Sequence, residues 1–321
     1  MSSRIPAPLL RAAYGLLTVA RPGRARAYPG EPPAVAFEGP QAGAPQADRS
    51  ATAIPRRIWS YWNTQKADTV VDQCIANWRT QCPDYEIHVL NEANLSRHVP
   101  PAHLPEGFAQ LHPTKQSDWL RLYLVRHHGG YWLDATTLLT RPLDWMDAAR
   151  RAQGAQFTGF FLEGFTHDAR YPVVESWAFG APAQSPFVVA WQEEFHRALV
   201  EQGTAAYLQA LQAEPGAAQL LQGIHDPHYL LIHVAAQRVL RRGNAFRLAL
   251  FKAEDTAFFH QRAVGWKWYL LYPRLCLARA QAPTAPLIKL RGGERRHFAE
   301  LLDWHGGPAP GSIWQRACAG K

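Results

Sequence analysis

The sequence predicts a mixed α/β fold, a central mixed sheet flanked by helices, and two stretches carry that reading. In the first, Arg57-Ile58-Trp59-Ser60-Tyr61-Trp62 is rich in β-branched and aromatic residues and reads as a strand. Thr69 to Cys82 then reads as a helix stopped by Pro83, and Tyr85-Glu86-Ile87-His88-Val89-Leu90 reads as a second strand. Strand, helix and strand in short succession form a βαβ unit, which implies parallel pairing. In the second stretch, Leu120, Tyr123, Leu124 and His127 fall on one stripe of a helix spanning 114–128. Gly129 suits the residue after a helix end, because it tolerates a left-handed backbone. Tyr131-Trp132-Leu133 follows as a short buried strand ending at Asp134, and Pro142 closes the next segment, 137–141.

Composition fits one large domain or two small ones. The 321 residues are 47% hydrophobic and 19% charged, enough apolar material for a sizeable core. The net charge of +8 is concentrated at the start: Arg4, Arg11, Arg21, Arg24 and Arg26 precede any acid. That distribution argues against a nucleic-acid face spread over the fold and suits a leading arm drawn to anionic lipid. The apolar run Ala7 to Ala20 is interrupted by Arg11 and Gly15. It falls short of the about 20 residues a bilayer span needs, which leaves an interfacial helix or a disordered arm. Residues 28–53 are rich in Pro, Ala and Gly and read as a linker, with order expected from Ile54. Cys74, Cys82, Cys276 and Cys318 include no C-x-x-C pair, which disfavours zinc ribbons and thioredoxin chemistry. A reducing, cytoplasmic setting is expected, peripheral to the inner membrane face. Beyond 150, 156–162 and 175–180 read as strands and 187–201 and 228–240 as helices.

The chemistry begins with Asp118 and Arg121. Three residues apart on a helix, they share a face, set apart here from the apolar stripe. Alone, such a pair is an exposed ion pair worth about 0–1 kcal/mol. The helix leads, however, through Gly129-Gly130 and a strand to Asp134. A carboxylate just past the end of a parallel strand lies where open α/β sheets bind ligands. Acid, cation and second acid are the groups a nucleotide sugar calls for: an acceptor for hydroxyls, a charge for phosphate oxygens and a ligand for a divalent metal.

Ser117-Asp118-x-x-Arg121 followed by Gly129-Gly130-Tyr131-Trp132-Leu133-Asp134 resembles the DXD region of GT-A glycosyltransferases. It is most similar to the capsular polysaccharide synthesis proteins and the mannosyltransferase-like families with a DXD sugar-binding region. The opening Ile54-Pro55-Arg56-Arg57-Ile58-Trp59-Ser60-Tyr61-Trp62 resembles their first strand, and Pro286-Leu287-Ile288-Lys289-Leu290 resembles their closing segment. Glu175-Ser176-Trp177, Ser185-Pro186-Phe187 and His228 to His233 are weaker matches between them. The resemblance implies a GT-A-like domain over 54–321, with a nucleotide-sugar-binding half at 54–150 and an acceptor half at 151–321. It implies that Trp59, or alternatively Trp62, lies beside the nucleotide base, and that Asp118, Arg121, Asp134 and Thr136 hold the donor. Asp134, Arg121 and Lys289 are expected in catalysis, and Asp134 as the ligand of Mn2+ or Mg2+.

A second DXD carboxylate would stand at 136, where this chain has Asp134-Ala135-Thr136, a form the capsular synthesis proteins share. A neutral hydroxyl is a poor ligand for a hard divalent ion. Lys289, Arg291, Arg295 and Arg296, with His297, form a basic run able to neutralise a departing diphosphate, or else a solvated face. His225-Asp226-x-His228 offers metal-like residues, but Asp226-Pro227 reads as a helix start and His233 as a core histidine. Glu175 reads equally as an acceptor-side acid and as half of a structural ion pair. Gly292-Gly293 lacks a phosphate-loop context, and no Gly-x-Ser-x-Gly is present. The expected reaction is sugar transfer from a nucleotide sugar, UDP-linked, to a surface glycan such as capsule or lipopolysaccharide. A non-catalytic nucleotide-sugar or glycan binding protein is the alternative.

Overall fold

The strand–helix–strand unit forms one edge of a seven-stranded mixed sheet. The computed structural model of the chain describes residues 7–20, 25, 27–30, 32–39, 52–63, 67–242 and 246–319. Its strands are β1 (Val35–Glu38), β2 (Arg57–Tyr61), β3 (Glu86–Leu90), β4 (Gly130–Leu133), β5 (Thr137–Leu139), β6 (Phe157–Leu162), β7 (Val173–Ala181), β8 (Arg247–Lys252) and β9 (Leu287–Lys289). The main sheet runs β1-β8-β6-β7-β4-β2-β3. β2 pairs in parallel with both β3 and β4, while β7 is antiparallel to β4 and β6. β5 and β9 form a separate antiparallel pair with Thr137 opposite Lys289.

Alternating residues feed two apolar cores, one on each face. Trp59, Trp132 and Phe179 enter one; Ile58, Tyr131 and Phe160 enter the other. On the first face lies the helix Pro113–His128, packed between the sheet and the helix Pro186–His196. It is buried on nearly every side, because Asp118 through Val125 are all buried. The expectation that Asp118 and Arg121 occupy a face apart from a single apolar stripe is therefore corrected. On the other face lies the helix Thr69–Gln81, whose N-terminus Asp68 caps by accepting from Val71 N at 3.2 Å. Asn77 of this helix pins β5: its amide donates to Leu139 O at 2.9 Å and its carbonyl accepts from Leu139 N at 2.7 Å.

Gly129 and Gly130 join the buried helix to β4 with positive φ of 63° and 104°. A Cβ on Gly129 would lie 2.7 Å from Ala183 N, and one on Gly130 2.7 Å from Arg57 O. The close backbone approach that these glycines permit lies at the start of β4, against the backbone at Ala183 and Arg57, and not at the strand end that carries Asp134.

The N-terminal segment differs from a linker. Residues 35–38 pair with β8 from Val35–Leu250 to Glu38–Arg247, so the sheet begins before Ile54. The helix Ala7–Ala20 docks through Tyr14, which is buried and donates to Tyr269 O at 2.5 Å, while Leu9 and Leu16 remain 63% and 73% exposed. Arg4, Arg21, Arg24 and Arg26 lie outside the described residues. Among the described residues no helix is long and apolar enough to cross a membrane.

Gly130→Ala should lower unfolding free energy by about 2–3 kcal/mol, since it adds both a clash and backbone strain. Gly293→Ala, whose added Cβ meets nothing within 4 Å, should leave the urea midpoint close to wild type.

Candidate active site

β2 and β4 end side by side, and beyond their carboxyl ends opens a cavity of about 870 Å3. Tyr61 and Trp62 follow from β2, Asp134 to Thr136 from β4, Ser117 and Arg121 from the buried helix, and Tyr229 and Lys289 from later segments. A further wall is one face of the helix Gly292–His305, where Arg295, Arg296, Ala299, Glu300 and Asp303 recur at helical spacing.

Asp134 is the hub of a chain of charges on the floor. Its Oδ1 lies 3.3 Å from an Arg121 amino group and accepts from Trp132 Nε1 at 3.0 Å. Its Oδ2 lies 3.1 Å from Lys289 Nζ. Burial alone would raise the Asp134 carboxyl, but Lys289 and then Arg121 outweigh it and hold it below the usual carboxylate range. Behind it, Asp118 Oδ1 lies 3.2 Å from the same Arg121 nitrogen, both side chains being 5–6% exposed. Burial raises Asp118 above the usual range, and its pairing with Arg121 and Lys115 offsets only part of that.

Further bonds fix Arg121. It donates to Ser176 Oγ at 2.6 Å and Ser117 Oγ at 3.0 Å, and its guanidinium lies 5.1 Å from the Trp132 ring centroid. Its aim into the cavity is therefore set by the helix, β7 and β4 together. Thr136 donates to Leu290 O at 2.9 Å and accepts from Lys289 Nζ at 2.6 Å.

Asp118, Arg121, Asp134, Thr136 and Lys289 thus come together, although Asp118 stands behind Arg121 and does not line the cavity. Trp59 does not join them. It is 1% exposed, its Nε1 donates to Gly129 O at 2.8 Å, and its ring stacks on His88. The aromatic wall is Trp62, over which Arg295 lies at 5.1 Å. The basic run divides. Lys289, Arg295 and Arg296 face the cavity, whereas Arg291 pairs with Glu294 at 2.6 Å and His297 stacks on Trp268.

Asp226 caps a turn, accepting from Tyr229 N at 3.0 Å, and Glu175 and His233 form a buried pair at 3.1 Å. Among the described residues no group of three His, Cys, Asp or Glu is arranged to hold a metal ion. Two contributors escaped the sequence reading. Lys115 donates to the carbonyls of His228 and Tyr229 at 2.9 and 2.8 Å, tying that turn to the cavity rim. Asp68 caps its helix and also pairs with Arg295; the cap was legible as an Asp before a helical run, the partner was not. The cavity draws on 61–136, on Tyr229 and on 289–303, so the C-terminal segment returns to the half expected to bind the nucleotide.

Against this geometry stand the relatives. The family described as "Capsular polysaccharide synthesis protein" matches residues 43–203, half of the chain. The chain belongs to that family. The family match covers Trp62, Arg121, Asp134 and Thr136 but ends before Lys289 and Arg295. The chain is also 27% identical over 169 residues to the O-glycosyltransferase braB of Annulohypoxylon truncatum, covering 46% of this chain. It spans about two fifths of the length of that curated relative, 39%. A solved structure, "PaToxG Glycosyltransferase", aligns over 73% of this chain and 85% of that one, with 12% identity and a TM-score of 0.34.

Leaving one member of a buried ion pair without its partner costs about 3–5 kcal/mol. Arg121→Met leaves Asp134 with Lys289 but the buried Asp118 with only the more distant Lys115, at 3.9 Å, and should lower unfolding free energy by that amount in urea titration. Asp134 has a pH signature as well. A carboxyl whose folded pKa is depressed stabilises above its unfolded value, about 3.9, and loses that contribution as pH falls through the folded value. The stability gap between wild type and Asp134→Asn should be full at neutral pH and close as the pH drops below about 4.

Proposed function

We infer that this protein transfers a sugar from a nucleoside-diphosphate donor to a hydroxyl of a surface glycan, capsular polysaccharide or lipopolysaccharide. The observation that carries the reading is the Arg121–Asp134–Lys289 chain of charges on the floor of a cavity walled by Trp62, at the carboxyl ends of parallel strands. The cavity volume suits a nucleotide sugar. Trp62 offers a flat face for a base, and stacking of this kind is worth about 1–3 kcal/mol. The diphosphate fits against Arg295, Arg296 and Lys289, near the amino end of the helix Gly292–His305, where backbone dipoles favour anions. Arg121 and Asp134 then face the sugar hydroxyls and ribose. A uridine base is the preferred reading.

In the reaction the acceptor oxygen bonds to the anomeric carbon as the bond from that carbon to the diphosphate oxygen breaks. The electron pair leaves on the nucleoside diphosphate, and the hydroxyl proton passes to solvent. Preorganised positive charge lowers the barrier because charge grows on the departing phosphate. The exposed leucines of the arm helix and the arginines in its sequence vicinity support a peripheral contact with anionic lipid at the inner membrane face.

The decisive experiment measures nucleoside-diphosphate release from a panel of nucleotide sugars with glycan acceptor. Asp134→Asn should lower kcat/KM by about 10^2-fold or more while the variant still unfolds cooperatively. Trp62→Ala should raise donor KM about tenfold. A wild-type protein that binds donor but never releases its diphosphate would instead be a binding protein. For the arm, removal of residues 1–24 should abolish salt-sensitive binding to phosphatidylserine vesicles while sparing turnover of soluble acceptor.

A further inference from the structure

The charge that a divalent metal would bring to this site is already built into the chain. We propose that the ammonium of Lys289 is the resident cation of the cavity, held between residues 134 and 136, so that donor binding and leaving-group departure require no divalent metal. This rests on the reading of the cavity as a nucleotide-sugar site.

The donor set does not fit a hard divalent ion. Such ions take about six oxygen ligands and favour carboxylates. The floor offers one carboxylate with both oxygens engaged, and of the others lining the cavity Asp68 pairs with Arg295, Asp303 accepts from Thr69 Oγ1 at 2.5 Å and Glu300 lies along the helix wall. Oδ1 of Asp134 meets Arg121 and Trp132, and Oδ2 meets Lys289. The Thr136 hydroxyl, which stands where a second carboxylate would, donates its proton to Leu290 O and takes one from Lys289. A metal approaching Asp134 would face a guanidinium and an ammonium within contact distance of that carboxylate. Like charges at such range repel strongly away from bulk water.

Lys289 is placed by the backbone and not by a swinging side chain. Its Nζ has three acceptors, Asp134 Oδ2 at 3.1 Å, Thr136 Oγ1 at 2.6 Å and Leu290 O at 3.1 Å, which match the three protons of an ammonium. The strand beneath is locked: Lys289 sits opposite Thr137 in the β5–β9 pair, Leu290 N donates to Thr136 O at 3.0 Å, and Gln261 Nε2 donates to Lys289 O at 2.6 Å. Threonine at 136 belongs to the same device. A hydroxyl can accept from the ammonium and donate to Leu290 O at once; a carboxylate there would set a negative charge against that carbonyl. Lys289 supplies a fixed positive field, and Arg295 and Arg296 on the wall supply donors for direct phosphate contact.

Three measurements on the full chain test this. Titration calorimetry with UDP, GDP and TDP compares each affinity in chelator with that in millimolar Mn2+. Electron paramagnetic resonance asks separately whether the protein takes up Mn2+. Nucleoside-diphosphate release is followed in the same two buffers with a donor whose nucleotide binds. The expected result is a nucleotide affinity that changes by less than about threefold with Mn2+, no bound Mn2+ signal, and turnover that survives chelation. Lys289→Met should weaken nucleotide binding by about tenfold or more in chelator. The double variant Lys289→Met, Thr136→Asp should acquire both a bound Mn2+ signal and Mn2+-dependent nucleotide affinity. Wild-type nucleotide binding or turnover seen only with Mn2+ overturns the proposal and leaves the nucleotide-sugar reading standing. Failure of every nucleotide to bind in either buffer overturns that reading, and this proposal with it. Because the wild-type comparison needs no variant, a misfolded Lys289→Met would not blunt the test.

Discussion

One carboxylate shared by two cations organises this molecule. Asp134 sits just past β4 and binds Arg121 from the buried helix and Lys289 from β9. The helix and β4 are consecutive in sequence while β9 comes near the C-terminus, so the ion chain closes the cavity floor only when the C-terminal segment has docked. Its cost in desolvation is high, and buried pairs are weak evidence for stability on their own. They are stronger evidence for a site, because perturbed, partly exposed charges in a crevice are arranged for a ligand. Asp134, a quarter exposed and held ionised by its two partners, meets that description. Asp118, almost fully buried behind Arg121, positions the guanidinium and does not reach the cavity.

Much of this was legible in the sequence. The βαβ unit, the helix entering Gly129-Gly130 and the carboxylate past the strand all follow from periodicity, turn chemistry and strand polarity. Asp118, Arg121, Asp134 and Lys289 were singled out as residues and do converge. The ledger of misses has physical causes. Trp59 and Trp62 share a strand-like segment, and one-residue alternation cannot say which tryptophan is inside; here Trp59 points into the core and Trp62 lies past the last ladder pair. β8 was not recognised because both its faces are buried: Leu248 and Leu250 enter one core and Phe251 the other, which removes the polar alternation of a half-buried strand. β1 was hidden in a Pro- and Gly-rich segment, since a four-residue edge strand leaves almost no periodic signal.

The basic C-terminal run shows why composition alone misleads about direction. Read as a cluster, Lys289, Arg291, Arg295 and Arg296 look equivalent. Lys289 ends β9, Arg291 is the residue before the helix Gly292–His305 and pairs with Glu294, and Arg295 and Arg296 lie on the helix and face the cavity. The same segment lies outside the half of the chain matched by the family, so its contribution rests on geometry.

On the proposed function a nucleoside diphosphate lies between Trp62 and the helix Gly292–His305, above Asp134. Photocrosslinking with azido-UDP, followed by mass spectrometry of the labelled peptides, locates the base directly. Label on the peptides carrying Tyr61 to Asn63 or Arg295 to Asp303, competed away by unlabelled UDP, is the result predicted. Label that resists competition, or that falls on a separate crevice lined by Gln156, Pro182 and Gln184, would contradict it.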